Sequence, residues 1–118
     1  MTNPKKIELF YFTDCPSWRA AQQHLQAVLD QLEIESRIML IKVETNADAA
    51  RREFPGSPTI RLDGKDLFPV DHSDYALGCR VYATPQGLQG APTKEMIRAK
   101  IKDLLTDSKS DIHTKGRE

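Results

Sequence analysis

Two apolar segments separated by an amphipathic stretch constrain the fold of this chain more than any other feature. Residues 7–12 read Ile-Glu-Leu-Phe-Tyr-Phe, and residues 37–43 read Arg-Ile-Met-Leu-Ile-Lys-Val. Runs this apolar and this rich in β-formers are typical of strands covered on both faces. Between them, apolar residues recur every three or four positions from Trp18, which predicts a helix that ends near Glu35. The three segments predict a parallel βαβ unit with a right-handed crossover.

The following segments predict a short helix, a β-hairpin and a closing helix. They are residues 46–54 with Asn46 as the cap, residues 59–62 and 65–68 as hairpin strands, and a helix capped by Thr93. An Asp-Gly pair between the two hairpin strands favours a tight turn. The predicted element order is therefore β-α-β-α-β-β-α, an α/β fold with a four-stranded mixed sheet.

The remaining segments set the predicted domain boundaries. Residues 69–92 show little periodicity and are long for a connection inside a domain, and such loops are often functional. Residues 106–118 are polar and without pattern, which predicts a disordered tail. A chain of 118 residues has the length of one domain, which we place at residues 1–105, with residues 69–92 as a loop insertion.

Charge and hydropathy exclude several classes of function. Lysine plus arginine and aspartate plus glutamate each number 17, so the formal net charge is zero. Nucleic-acid binders normally carry a basic surplus, so we expect no nucleic-acid partner. No apolar run approaches the roughly 18 residues that cross a bilayer, and the first residues lack the pattern of a signal peptide. We therefore expect a cytoplasmic protein without a membrane partner.

The chain contains two cysteines, Cys15 and Cys79. Two cysteines do not make a disulfide-rich scaffold, and their spacing from the histidines matches no zinc motif, so we expect no metal and no cofactor. Cys15 stands between the first predicted strand and the first predicted helix, where Thr13 or Asp14 could be the cap. A thiolate there would face unpaired backbone N–H groups and the positive end of the helix dipole. Cys15 is therefore either a nucleophile or a small buried side chain without reactivity.

Two short motifs occur about 42 positions apart. Positions 11–18 read Tyr-Phe-Thr-Asp-Cys-Pro-Ser-Trp, and positions 57–59 read Ser-Pro-Thr just before a predicted strand. The first resembles the redox site of the thioredoxin superfamily, and the second resembles its cis-proline loop. The resemblance covers about residues 6–105 and extends to small, glutaredoxin-sized bacterial members of that superfamily. It implies a thioredoxin-like three-layer sandwich and a cis peptide bond before Pro58.

The resemblance also implies roles for individual residues. It makes Cys15 the catalytic nucleophile, and it places substrate contacts at Ser57, Pro58, Thr59 and Trp18. Trp18 equally fits the buried face of the first helix, and it occupies the position of the second cysteine of a dithiol enzyme. Resolution of a mixed disulfide would therefore fall to Cys79 or to an external thiol such as glutathione. Arg80, next to Cys79, is expected to favour the Cys79 thiolate.

Three interpretations of function remain open from the sequence. The first is a thiol-disulfide oxidoreductase whose partner is a protein or small-molecule thiol or disulfide. The second is a non-enzymatic thioredoxin-fold binding module, able to form an oligomer, in which Cys15 contributes packing alone. The third is the handling of a soft metal by Cys15 and Cys79, since paired thiols suit soft cations. His72 lies in an Asp-His-Ser-Asp cluster that offers ligand atoms, but such clusters are usually polar loop residues.

Overall fold

A four-stranded mixed sheet forms the centre of the structure, a computed structural model that describes residues 6–70 and 75–113, with side chains through residue 105. Its strands are β1 (Ile7–Tyr11), β2 (Ile38–Lys42), β3 (Thr59–Leu62) and β4 (Lys65–Asp66). They lie in the order β2-β1-β3-β4. β1 and β2 run parallel, whereas β3 pairs antiparallel with both β1 and β4. The predicted α/β class and the predicted mixed sheet are confirmed.

Within the described residues, three helices accompany this sheet: α1 (Trp18–Gln31), α2 (Asn46–Arg51) and α3 (Lys94–His113). α1 begins at Trp18, after the predicted cap, and ends at Gln31, before the predicted end near Glu35; its N-cap is Ser17, whose side chain makes no capping hydrogen bond. The prediction of Thr13 or Asp14 as the cap is therefore wrong. α2 is capped one residue earlier than predicted, because the Thr45 hydroxyl accepts a hydrogen bond from the Asp48 backbone N–H at 3.0 Å.

α3 is longer than the sequence pattern predicts. The Thr93 hydroxyl accepts a hydrogen bond from the Met96 backbone N–H at 3.1 Å, as expected of the predicted cap. The helix continues to His113 and so occupies much of the predicted tail at residues 106–118, because extending an existing helix needs no new nucleus. Residues 114–118 lie outside the described part of the chain. No helix within the described residues is both long and apolar enough to cross a membrane.

Two apolar clusters lie on opposite faces of the sheet. The larger one joins Ile7 and Leu9 of β1 to the buried faces of α1 and α3. The smaller one joins Phe10 to Val43 and to residues in and after α2, namely Ala49 and Phe54. Because successive strand residues point to opposite faces, the alternation along β1 assigns Leu9 and Phe10 to different clusters. Helices therefore cover the sheet on both sides.

β2 is more exposed than the sequence predicts. It forms an edge of the sheet, and its side chains Met39 and Leu40 are 48% and 43% exposed. The prediction that residues 37–43 form a strand buried on both faces is wrong in this respect. An edge strand has a neighbouring strand on one side only. The larger apolar cluster is centred on β1 and β3, so it covers the side chains of β2 less.

A second, two-stranded sheet lies within residues 69–92, which the sequence predicts to be a loop insertion. Its strands are β5 (Tyr82–Thr84) and β6 (Gly87–Gln89), paired antiparallel. Strands of three residues are too short to produce a readable alternation, so this hairpin was not predicted. Gly87 has a φ of +108°, which a glycine adopts readily and other residues rarely do. Residues 71–74, and with them His72, lie outside the described residues.

Candidate functional site: the Cys15–Cys79 thiol pair

Cys15 lies in the turn that joins β1 to α1. Its backbone N–H donates to the Phe12 carbonyl at 2.9 Å and closes the turn. Its side chain is 0% exposed, and its Sγ lies 3.4 Å from the Ser57 carbonyl oxygen in a hydrogen bond that requires the protonated thiol. The sequence predicts backbone N–H groups of the helix around this sulfur, whereas its hydrogen-bond partner here is a carbonyl.

The Ser-Pro-Thr segment lies directly against Cys15. The Ser57–Pro58 peptide bond is cis, so that prediction is confirmed. Ser57, Pro58 and Thr59 are all buried, and the Thr59 hydroxyl donates to the Gly56 carbonyl at 2.6 Å. The segment therefore contacts its surroundings through backbone groups. The side chains of Ser57, Pro58 and Thr59, which are predicted to contact substrate, are not at the surface.

Tyr82 of β5 secures this segment from the other side. Its hydroxyl donates to the Pro58 carbonyl at 2.5 Å. Burial raises the pKa of Tyr82 well above the ordinary phenol value, so the hydroxyl keeps its proton and remains a donor. The buried carbonyl thus has a permanent partner at physiological pH.

Cys79 approaches Cys15 through backbone pairing with Ser57. The Ser57 N–H donates to the Gly78 carbonyl, and the Arg80 N–H donates to the Ser57 carbonyl, both at 2.8 Å. These bonds make an isolated parallel bridge between Ser57 and Cys79. The Ser57 carbonyl therefore accepts from Arg80 and from the Cys15 thiol at once. This shared acceptor positions the two cysteines beside each other.

The two thiols interact, but their environments differ. Cys15 is buried and Cys79 is exposed. A side-chain hydrogen bond to Cys15 raises the pKa of Cys79, and partial desolvation and the charge interaction with Cys15 raise it further. The Cys15 thiol donates to the Ser57 carbonyl, and the parallel bridge between Ser57 and Cys79 brings the second cysteine to the same carbonyl.

Arg80 points away from the thiol pair and into the protein. The residue is 7% exposed, and both terminal nitrogens of its guanidinium group donate hydrogen bonds. Its partners are the Asp66 carboxylate at 3.0 Å, the Thr59 hydroxyl at 3.1 Å, the Phe68 carbonyl, and the Tyr82 ring, with 4.8 Å from guanidinium carbon to ring centroid. The expectation that Arg80 favours the Cys79 thiolate is wrong, because the pKa of Cys79 is raised and the charge of Arg80 is paired with Asp66. Arg80 instead anchors the segment that carries Cys79.

Trp18 belongs to the core beside this site. It is 8% exposed and stacks on Tyr11 with 4.2 Å between ring centroids. The guanidinium carbon of Arg19 lies 4.9 Å from the centroid of the indole ring. The alternative that places Trp18 on the buried face of α1 is confirmed. Little of the indole is left for contact with a partner.

The surroundings of the thiol pair contain one unusual polar atom. The Ser57 hydroxyl is buried and has no hydrogen-bond partner among the described residues. Within that same part of the chain, no cluster of three or more histidine, cysteine, aspartate or glutamate side chains is arranged to hold a metal ion.

No protein-family model matches the chain, and neither a curated protein nor a solved structure matches it. Function therefore has to be inferred from the thiol pair and from the elements that position it.

Replacing Cys15 by alanine is expected to lower the pKa of Cys79 toward the ordinary thiol value. The largest cause of the raised pKa is the hydrogen bond to Cys15, and alanine cannot accept one. The pH dependence of the rate of Cys79 alkylation by iodoacetamide, followed by mass spectrometry, measures this shift. Cys15→Ser keeps an acceptor oxygen and is expected to shift the profile less. An alkylation profile identical in the wild-type protein and Cys15→Ala would contradict the thiol–thiol hydrogen bond.

Proposed function

We propose that this protein is a thiol-disulfide oxidoreductase that uses Cys15 and Cys79 as a redox pair. The observation that carries the proposal is that two cysteines from distant parts of the chain meet at Ser57, where the Cys15 thiol donates to the Ser57 carbonyl and Cys79 pairs with Ser57 in a parallel bridge. Two thiols in contact can close into a disulfide with the loss of two electrons and two protons. α1 begins with Trp18 and contains no second cysteine. In this proposal Cys79 supplies the second sulfur.

The arrangement of elements supports a thioredoxin-like three-layer sandwich. The sheet order is β2-β1-β3-β4, and helices cover both of its faces. The thiol lies at the β1–α1 turn and contacts the residue two positions before β3. This is the arrangement that the sequence motifs at 11–18 and 57–59 imply. The proposed fold and the proposed chemistry therefore depend on the same contact, between Cys15 in the β1–α1 turn and Ser57 before β3.

The proposed reaction is reduction of a substrate disulfide, with a protein or a small molecule as substrate. The substrate S–S bond breaks and is replaced by the Cys15–Cys79 bond, so the substrate gains two electrons and two protons that the dithiol loses. An external thiol such as glutathione returns the pair to the dithiol form by the reverse exchange. No bound cofactor is needed for either half of this cycle.

The proposal is tested by equilibrating the protein with buffers of different glutathione to glutathione disulfide ratio. Free thiols are then alkylated and counted by mass spectrometry. We expect both cysteines to be lost together as the buffer becomes more oxidising, because one intramolecular bond consumes both. Cys79→Ser, the matched control, should acquire at most one glutathione and no internal bond.

The outcome that contradicts the proposal is a wild-type protein that keeps two free thiols at every ratio. That result would favour the non-enzymatic binding module. Under that interpretation the double variant Cys15→Ser, Cys79→Ser should behave as the wild-type protein does in any binding measurement.

A further inference from the structure

We propose that substrate disulfides react at Cys79 and that the buried Cys15 is the resolving thiol. This order rests on the proposed function and reverses the one that the sequence motif implies, in which Cys15 attacks first. It assigns to Cys79 the role of the catalytic nucleophile and to Cys15 the role of completing the exchange.

Access to the two sulfurs is the first argument. Cys15 is 0% exposed, whereas Cys79 is exposed. Thiol-disulfide exchange requires the attacking sulfur to reach the substrate sulfur directly, and its rate depends on that access. A substrate disulfide carries a substituent on each sulfur, so it cannot reach a side chain with no accessible surface. Cys79 meets the solvent without any rearrangement.

The direction of the Cys79 side chain is the second argument. Around Arg80 the chain alternates, with Arg80 7% exposed and turned inward and Val81 61% exposed. The backbone bonds from Gly78 and Arg80 to Ser57 hold this segment at a fixed position over Cys15. The buried Arg80 side chain therefore fixes the exposed Cys79 at the surface, beside Ser57 and the buried Cys15.

The chemistry follows in two balanced steps. The Cys79 thiolate attacks one sulfur of the substrate disulfide, a Cys79–substrate bond forms, and the other substrate half leaves as a thiolate. Cys15 then attacks the Cys79 sulfur, the Cys15–Cys79 bond forms, and the second half leaves as a thiolate. The proton that Cys15 holds against the Ser57 carbonyl passes to the leaving groups through solvent. Two electrons and two protons reach the substrate in total.

The raised pKa of Cys79 predicts how the rate of the first step, attack by the Cys79 thiolate, depends on pH. A thiolate of higher pKa is the stronger nucleophile but is present in smaller amount at neutral pH. The reaction should therefore accelerate as pH rises toward the pKa of Cys79. In the second step Cys79 carries the substrate sulfur in place of its proton, and the backbone bridge at Ser57 keeps Cys15 next to the mixed disulfide.

The test compares two single-thiol variants, Cys15→Ser and Cys79→Ser, each reduced and then exposed to glutathione disulfide. Serine is close in size to cysteine, so each variant keeps the cover over the remaining sulfur. Glutathionylation is followed by mass spectrometry at several pH values. We expect Cys79 in Cys15→Ser to react at least about tenfold faster than Cys15 in Cys79→Ser, because reactivity follows exposure. In the wild-type protein, limiting N-ethylmaleimide should label Cys79 before Cys15, which checks the order without any substitution.

The possible results separate this order from the proposed function. Faster reaction at Cys15, in the variant and in the labelling, overturns the order while leaving a redox protein. Reaction at neither cysteine, with no internal disulfide in the wild-type protein, overturns the proposed function together with the order. Faster reaction at Cys79 together with an internal disulfide in the wild-type protein supports both.

Discussion

Oxidation of the reduced protein is expected to raise its free energy of unfolding by about 4 kcal/mol. A Cys15–Cys79 disulfide closes a loop of roughly 65 residues, and constraint of the unfolded chain by a loop of that length corresponds to this value. The contacts of Cys15 and Cys79 with Ser57 already bring the two cysteines together in the folded protein, so closure should need little movement. Urea unfolding of the oxidised protein, with and without dithiothreitol, measures the difference.

The single variants Cys15→Ser and Cys79→Ser are the controls for this prediction. Each removes one sulfur and should give the same unfolding midpoint with and without dithiothreitol. The denaturant dependence should also be lower for the oxidised wild-type protein, since a cross-linked chain exposes less surface when it unfolds. Equal midpoints for the oxidised and reduced wild-type protein would show that no stabilising bond forms between the two cysteines.

Much of the main sheet could be predicted because its signals are local. The Asp63-Gly64 pair predicts a tight turn between β3 and β4, and both residues have the positive φ values that this turn needs, +50° and +87°. The spacing of apolar residues from Trp18 likewise predicts α1 and its buried face. Each of these elements is determined by residues within a few positions of one another.

The features that were predicted incorrectly depend on distant neighbours. Residues 37–43 are apolar enough for a central strand, yet β2 lies at the edge because strand order is a property of the whole sheet. The short strands β5 and β6 leave no periodic signal. The hydropathy of a strand says that it can be buried, and its place in the sheet determines whether it is.

The thiol pair shows the same division between local and distant information. The motif at 11–18 indicates Cys15 as a candidate site. The sequence does not determine the distance between Cys15 and Cys79. That distance is set by the bridge between Ser57 and the segment carrying Cys79. The motif also does not report burial, on which the proposed order of the two thiols depends. A charged residue next to a cysteine also gives no reliable direction for its pKa, because the Arg80 side chain turns the other way.

The replacement Arg80→Met is expected to lower the free energy of unfolding by about 3–5 kcal/mol. Methionine can fill part of the space, but it leaves the Asp66 carboxylate without its ion-pair partner. The side chains of Arg80 and Asp66 are 6% and 16% exposed, so water can compensate the lost pairing only in part. Urea unfolding under reducing conditions measures this loss without any contribution from a disulfide.

Arg51→Met provides the matched control for that prediction. Arg51 also pairs with an aspartate, Asp48, but its side chain is 71% exposed, so its removal should change stability by less than about 0.5 kcal/mol. Asp66→Asn in the Arg80→Met background removes the unpaired charge and should recover part of the loss, which would identify the Asp66 carboxylate as its source. If Arg80→Met were no more destabilising than Arg51→Met, Arg80 would not be the anchor of the segment that holds Cys79 over Cys15. Destabilisation of the expected size would instead support Arg80 as the anchor of that segment.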